Sequence, residues 1–377
     1  MSVEIVCEWI EETGGAEKVL DAMLEAFPGA PVHTLWNDAP DRMRDVEVHE
    51  SWIARTPLRR SKSLALPFFS PTWTRLKPAG NPDKILISSY VFAHHARFRQ
   101  LPDVPRFVYV HSPARYIWVP EIDARGRAPL VRASAPYWKS LDRRHAQSTD
   151  ALAANSHFVR QRIENAWGRE AEVIYPPVDA TEISATSDWR EKLAAEDADL
   201  LEALPQDFIL GASRLVPYKK LDAVLAFANS VDLPAVIVGN GADRPRLEAL
   251  ARAHGVPAHF LGSTSTPLLY ALFQRATAYV FPPIEDFGIL PVEAMAAGAR
   301  VIVNAEGGTA ESVLHGVGGI QTSSFTGVDA SSALDAALRI DRATVPSQAA
   351  RFARSEFVTT LRDWMDENTE KRASAQP

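Results

Sequence analysis

Pro282-Pro283-Ile284-Glu285-Asp286-Phe287-Gly288-Ile289-Leu290-Pro291-Val292-Glu293-Ala294-Met295-Ala296-Ala297-Gly298 reads as a strand end, a loop and a helix. Ala278 to Phe281, just before it, is a short apolar run of β-formers that stops at the Pro-Pro pair. Pro291 suits the first turn of a helix, where its missing N–H costs nothing. Gly298 suits the left-handed residue just past the end. Glu285 is then expected in the loop and Glu293 in the first helical turn. Between them, the amides near Gly288 and Ile289 would point unpaired from the positive end of the helix, which makes a phosphate site. Two carboxylates flank it, and carboxylates bind sugar hydroxyls. A ligand with phosphates in the middle and a sugar at each end fits this pattern.

Glu285 and Glu293 enclose seven residues, with Phe-Gly after the first acid and Glu-Ala-Met around the second. This resembles the E-x7-E motif of the retaining glycosyltransferases of family 4. The resemblance implies that Glu285 lies near the donor sugar and that Glu293 binds the ribose. It also gives the loop Phe287-Gly288-Ile289 to the donor diphosphate.

Upstream, the strand Phe208 to Leu210 runs into Arg214-Leu215-Val216-Pro217-Tyr218-Lys219-Lys220. Two cations five residues apart on a strand-to-helix loop can grip a diphosphate and stabilise its charge as it leaves. Arg214 and Lys219 match the family's Arg…Lys pair, while Lys220 stands where the family often has Gly. Gly262 ends a strand resembling the family's base-binding edge. In the first half, Val3 to Ile10 reads as a strand, Gly14-Gly15 as a turn and Lys18 to Phe27 as a helix, the opening of an α/β unit. The turn resembles the family's Gly-Gly-Ala-Glu segment, whose backbone faces the donor phosphate. Its glycines are not the G-x-G-x-x-G fingerprint, so dinucleotide binding is not indicated.

The strand Arg106 to Val110 ends at His111-Ser112-Pro113-Ala114-Arg115-Tyr116-Ile117-Trp118. A strand end in a parallel sheet is where α/β proteins bind ligands, and a histidine there can exchange a proton or bond a sugar hydroxyl. The string resembles a segment of the O-antigen-type mannosyltransferase branch of family 4. That likeness favours GDP-mannose as donor and a lipid-linked glycan of surface polysaccharide assembly as acceptor, with Arg115, Tyr116 and Trp118 on the acceptor side. His94 and His95 are left as surface residues.

The 377 residues point to about two domains, and the 46% hydrophobic content fills two ordinary cores. The one cysteine, Cys7, allows no disulfide framework and reads as a buried strand residue. No signal peptide or membrane span is apparent, so a cytoplasmic protein is expected. Residues 55–169 hold 20 Lys and Arg against 7 Asp and Glu, a balance of +13; the whole chain is −7, which leaves −20 elsewhere. Within this region, residues 55–77 mix Arg and Lys with Leu, Phe and Trp. That texture suits peripheral contact with an anionic membrane, such as the inner face of the plasma membrane. The prolines there are expected to break any long helix. No nucleic-acid motif appears.

Alternating strands and helices in both halves predict two doubly wound α/β domains. The resemblance implies the GT-B fold: two Rossmann-like domains facing a cleft that holds the donor. One domain spans 1–180 and is completed by a C-terminal helix at about 350–370. The donor domain spans 181–349, with Thr181 to Leu204 as the crossing and residues after about 370 disordered. The implied activity is transfer of a hexose from a nucleotide-sugar with retention, using His111, Glu285, Arg214 and Lys219. The leaving diphosphate would help deprotonate the acceptor. No metal or other cofactor is expected; Asp197-Ala-Asp199 lies in a polar helical stretch and is discounted. Three alternatives stay open: a UDP-sugar donor, a GT-B UDP-sugar 2-epimerase, and a non-catalytic membrane-associated assembly subunit.

Overall fold

The computed structural model describes residues 2–120 and 129–375. The chain divides into two units, Met1–Pro177 with Arg354–Pro377, and Val178–Ala353.

The first unit has seven parallel strands: β1 (Val3–Cys7), β2 (Val32–Thr34), β3 (Val48–Glu50), β4 (Lys84–Ser89), β5 (Arg106–Val110), β6 (Ala151–Ala154) and β7 (Glu172–Val173). Their order is β3-β2-β1-β4-β5-β6-β7. The strands read as continuous apolar runs because both faces are covered. Val108 and Val110 enter one buried cluster with Val6, Ile85 and Ile87. Phe107 and Tyr109 point the other way, into a cluster with Ile5 and Leu86. That second face is closed by Phe357, Leu361 and Trp364 of the C-terminal helix Arg354–Ala375.

The second unit has six parallel strands: β8 (Ile209–Ala212), β9 (Ala235–Val238), β10 (Ala258–Gly262), β11 (Ala278–Phe281), β12 (Val301–Asn304) and β13 (Gly319–Thr322). Their order is β10-β9-β8-β11-β12-β13. Both sheets wind outward in two directions from a first strand, the doubly wound pattern.

Four expectations need correcting. Thr181 to Leu204 belongs to the second unit as short pieces packed on the helix Thr266–Arg275. Trp189 meets Tyr270 edge-on at 4.7 Å, and Arg275 donates to the carbonyls of Leu204 and Pro205. The few apolar and aromatic residues of the stretch, not its polar majority, decide its place. The C-terminal helix continues to Ala375, past the residue where disorder was expected, and Arg372 ties it to Asp150 at 3.1 Å. Lys62–Trp73 is one helix despite Pro67 and Pro71 inside it. The carbonyls those prolines leave without a donor, on Ser63 and Pro67, belong to exposed residues where water serves them. Finally, His94 and His95 are fully buried.

Candidate active site

In a doubly wound sheet the strand order reverses at one point, and the loops there diverge to leave a ligand crevice at the carboxyl ends of the strands. In the second unit that point lies between β8 and β11. The loop after β8 carries Arg214 and Lys219, and the loop after β11 carries Glu285. The topology therefore sets side by side residues separated by 66 positions: Lys219 Nζ donates to Glu285 Oε1 at 2.6 Å. Both side chains are about 15% exposed, so the pair is half-sheltered but reachable. Arg214, exposed, donates from Nη2 to Tyr218 Oη at 2.6 Å. Tyr218 also places its ring 5.4 Å from Lys219 Nζ, so it stands between the two cations. The sequence reading missed Tyr218, although its position inside the Arg…Lys spacing was the available signal.

The helix after Glu285 begins at Ile289, which puts Pro291 in its first turn, and it ends at Ala296. Gly288, at φ +91, turns the chain into the helix before Pro291 is reached. Glu293 is consequently the fifth helical residue, not a first-turn one, and it is 7% exposed. Burial, and after it the Glu293 charge, raises the hydroxyl pKa of both Tyr270 and Tyr279. Among the described residues no side chain caps this helix, so its first amides stay available to a ligand. Phe287 is buried and meets Phe352 edge-on at 5.2 Å, so its ring packs within the unit while its backbone remains in the loop.

The loop after β12 clamps this region. Gly308 N donates to Glu285 O at 2.7 Å. A Cβ on Gly308 would lie 2.0 Å from Asp286 O, so only glycine allows the approach. Gly262 ends β10, and its carbonyl accepts from Gly239 N at 2.7 Å. Lys220 is left-handed at φ 51, a conformation glycine adopts without strain.

In the first unit, His111 follows β5. Its Nε2 is 2.8 Å from Ser88 Oγ at the end of β4, and its ring stands edge-on to Tyr90 and Tyr109. Burial, then the Arg115 charge, pulls its pKa down to about 4, so the ring is neutral at ordinary pH. Gly14 precedes the helix Gly15–Ala26, which starts three residues before the expected Lys18. The buried Glu17 folds back over this turn, where a Cβ on Gly14 would meet Glu17 Oε2 at 2.1 Å. Gly15 is the first helical residue. Of the residues expected to face an acceptor, Arg115 is partly exposed at the start of the short helix Arg115–Trp118. Tyr116 is in the core, and Trp118 turns its indole N–H inward to Asp142 Oδ2 at 2.7 Å. Burial raises the Cys7 thiol pKa and keeps it out of any nucleophilic role.

Two family models divide the chain between them. "Glycosyltransferase Family 4" matches residues 13–182, and "Glycosyl transferases group 1" matches residues 194–351. Each half of the chain thus matches a glycosyltransferase model. It is 30% identical over 250 residues to a GDP-mannose-dependent alpha-(1-6)-phosphatidylinositol monomannoside mannosyltransferase of Mycobacterium tuberculosis, covering 61% of this chain and 62% of that one. It is 26% identical over 262 residues to the alpha-1,3/1,6-mannosyltransferase alg-2 of Neurospora crassa, covering 57% of this chain and 53% of that one. The chain thus spans about three-fifths or less of the length of these relatives. Among solved structures it resembles Anabaena Alr3699/HepE in complex with UDP and glucose, with a TM-score of 0.69 at 20% identity over 97% of this chain and 99% of that one. That likeness shows the GT-B fold. Among the described residues, no helix is long and apolar enough to cross a membrane.

Proposed function

We propose that the protein is a nucleotide-sugar-dependent hexosyltransferase, moving mannose from GDP-mannose to a lipid-linked or oligosaccharide acceptor with retention of configuration. The observation that carries this reading is the Lys219–Glu285 pair at the switch point, beside Arg214 and an uncapped helix start. Both curated relatives compared above are mannosyltransferases, which supports the sugar.

In this reading the donor diphosphate takes the place between Arg214, Lys219 and the amides of Gly288 and Ile289. Lys219 then shares its charge between phosphate and Glu285, which leaves the carboxylate oriented toward the sugar hydroxyls. Glu293 binds the ribose. Phosphate oxygens gather negative charge as the sugar C1–O bond breaks, and fixed cations and amides stabilise that charge without reorganising. The acceptor oxygen bonds to C1 on the same face, and its proton passes to the departing phosphate oxygen. His111, in the first unit, presents a neutral imidazole. Arg214 is the cleaner residue to test, because it is exposed and its loss strands no buried charge. Arg214→Ala is expected to cut transfer about 100-fold or more with the melting temperature unchanged. Wild-type turnover in a radiolabelled GDP-mannose assay would reject the diphosphate role.

The reading extends to a membrane-borne acceptor. The helix Lys62–Trp73 exposes Leu64, Pro67, Phe68 and Pro71 along one stripe, with Trp52 packed edge-on against Phe68 at 5.7 Å and Arg60, Arg75 and Lys77 exposed nearby. Apolar side chains ringed by cations suit an anionic lipid surface. Flotation with anionic liposomes is expected to carry the protein upward; equal behaviour with neutral liposomes and with none would remove this part.

A further inference from the structure

His94, His95 and Asp142 form a buried cluster in the first unit, behind Trp118, whose indole N–H donates to Asp142. All three are fully buried, and their ligand atoms lie within 4.8 Å of one another. His94 and His95 sit on a tight turn after β4, and Asp142 sits on the helix Pro129–Gln147. From these groups we infer a structural metal site for a zinc-type divalent cation, held by His94 Nε2, His95 Nε2 and Asp142 Oδ1.

The carboxylate oxygen stands at a distance from each imidazole nitrogen that a shared metal ion also allows. Asp142 Oδ1 is 3.1 Å from His94 Nε2 and 3.4 Å from His95 Nε2. Ligand atoms about 2.0–2.1 Å from a tetrahedral zinc ion stand roughly 3.3 Å apart. As a hydrogen bond the second distance is long. Among the described residues His94 Nε2 is buried without a well-formed hydrogen bond, although it lies 3.1 Å from Asp142 Oδ1. A poorly paired polar nitrogen beside a carboxylate in a dry core is costly, and a cation between them removes that cost.

The surrounding groups act as a metal's outer shell does. His94 Nδ1 is 3.1 Å from Ser89 Oγ, and His95 Nδ1 is 2.9 Å from Ser70 Oγ. Each ring is thereby oriented with Nε2 turned inward. Asp142 Oδ2 accepts from Trp118 Nε1 at 2.7 Å and from Trp167 Nε1 at 2.6 Å, which leaves Oδ1 for the ion. The donor set, two imidazoles and one carboxylate, suits zinc and leaves one of its four positions for a further ligand. Because Trp118 ends the segment that begins at His111, the ion would staple that segment to the turn after β4 and to the helix of Asp142.

The test is metal analysis of the full chain, tag removed, purified from zinc-supplemented cells without chelator. About one equivalent of zinc per chain is expected, falling at least tenfold in Asp142→Asn and in His95→Gln. Stripping with a chelator should lower the melting temperature, and Zn2+ should restore it. Co2+ added to the stripped protein should give visible absorption of a four-coordinate site. Background zinc in the wild-type chain, with a melting temperature indifferent to chelator and to Zn2+, would overturn the site. If either variant fails to fold, the wild-type zinc content and cobalt spectrum decide the question alone. None of these readouts depends on transferase activity.

Discussion

At the scale of single residues, Lys219 and Glu285 show what a sequence gives and what it withholds. Their types and spacings pointed to phosphate and sugar, but their direct pairing across 66 positions depends on which strands lie side by side. Truncating Lys219 would leave the Glu285 carboxylate without its partner, mixing stability with binding. His111 carries a separate prediction. The groups facing it are Ser88, Tyr90, Tyr109 and Arg115, and of these Arg115 is the cation that adds to burial in lowering its pKa from 6.5 to about 4. Between those values the unfolded chain binds a proton that the folded chain refuses. Stability owed to His111 is therefore complete above pH 6.5 and lost as pH falls toward about 4. Denaturant titrations at pH 7, 6, 5 and 4.5 should show a shallower acid loss in His111→Gln than in wild type; parallel curves would contradict it. His94 and His95 show the opposite case, since a polar pair after a strand reads as surface. Only the partner Asp142, 47 or more residues away, reveals why they are inside.

At the scale of elements, the glycine-rich loop after β12 matters as much as the loop it supports. Nothing in the sequence Glu306-Gly307-Gly308-Thr309 says which backbone Gly308 touches. Backbone atoms of Asp286 and Phe287 lie within 2.0–2.7 Å of where a Cβ on Gly308 would stand, and backbone cannot rotate aside as a side chain does. Gly308→Ala should therefore push the Glu285 loop outward. We expect a loss of about 1–3 kcal/mol in denaturant unfolding and weaker nucleotide binding. Unchanged stability and affinity would show that the clamp does not hold the loop. The start of the first helix was read three residues late, at Lys18, because the polar run up to Glu17 suggested a turn where Gly15 already begins the helix. The fifth-residue position of Glu293 was likewise read a turn too early.

At the scale of the whole molecule, two doubly wound sheets were legible because continuous apolar runs alternate with amphipathic segments in both halves. The way the chain returns at its C-terminus to complete the first unit was legible only through resemblance; the spacing of Phe357, Leu361 and Trp364 gives a helix but not the face it covers. The likeness to glycosyltransferases rests on one model for each half, and the proposed chemistry rests on a diphosphate site in the second. Calorimetric titration of GDP into the wild-type chain and into Arg214→Ala tests that site most directly. The account predicts saturable one-site binding to wild type, at least about tenfold weaker in the variant, with UDP weaker than GDP. Equal GDP affinity in the two proteins, or no GDP binding to either, would contradict it.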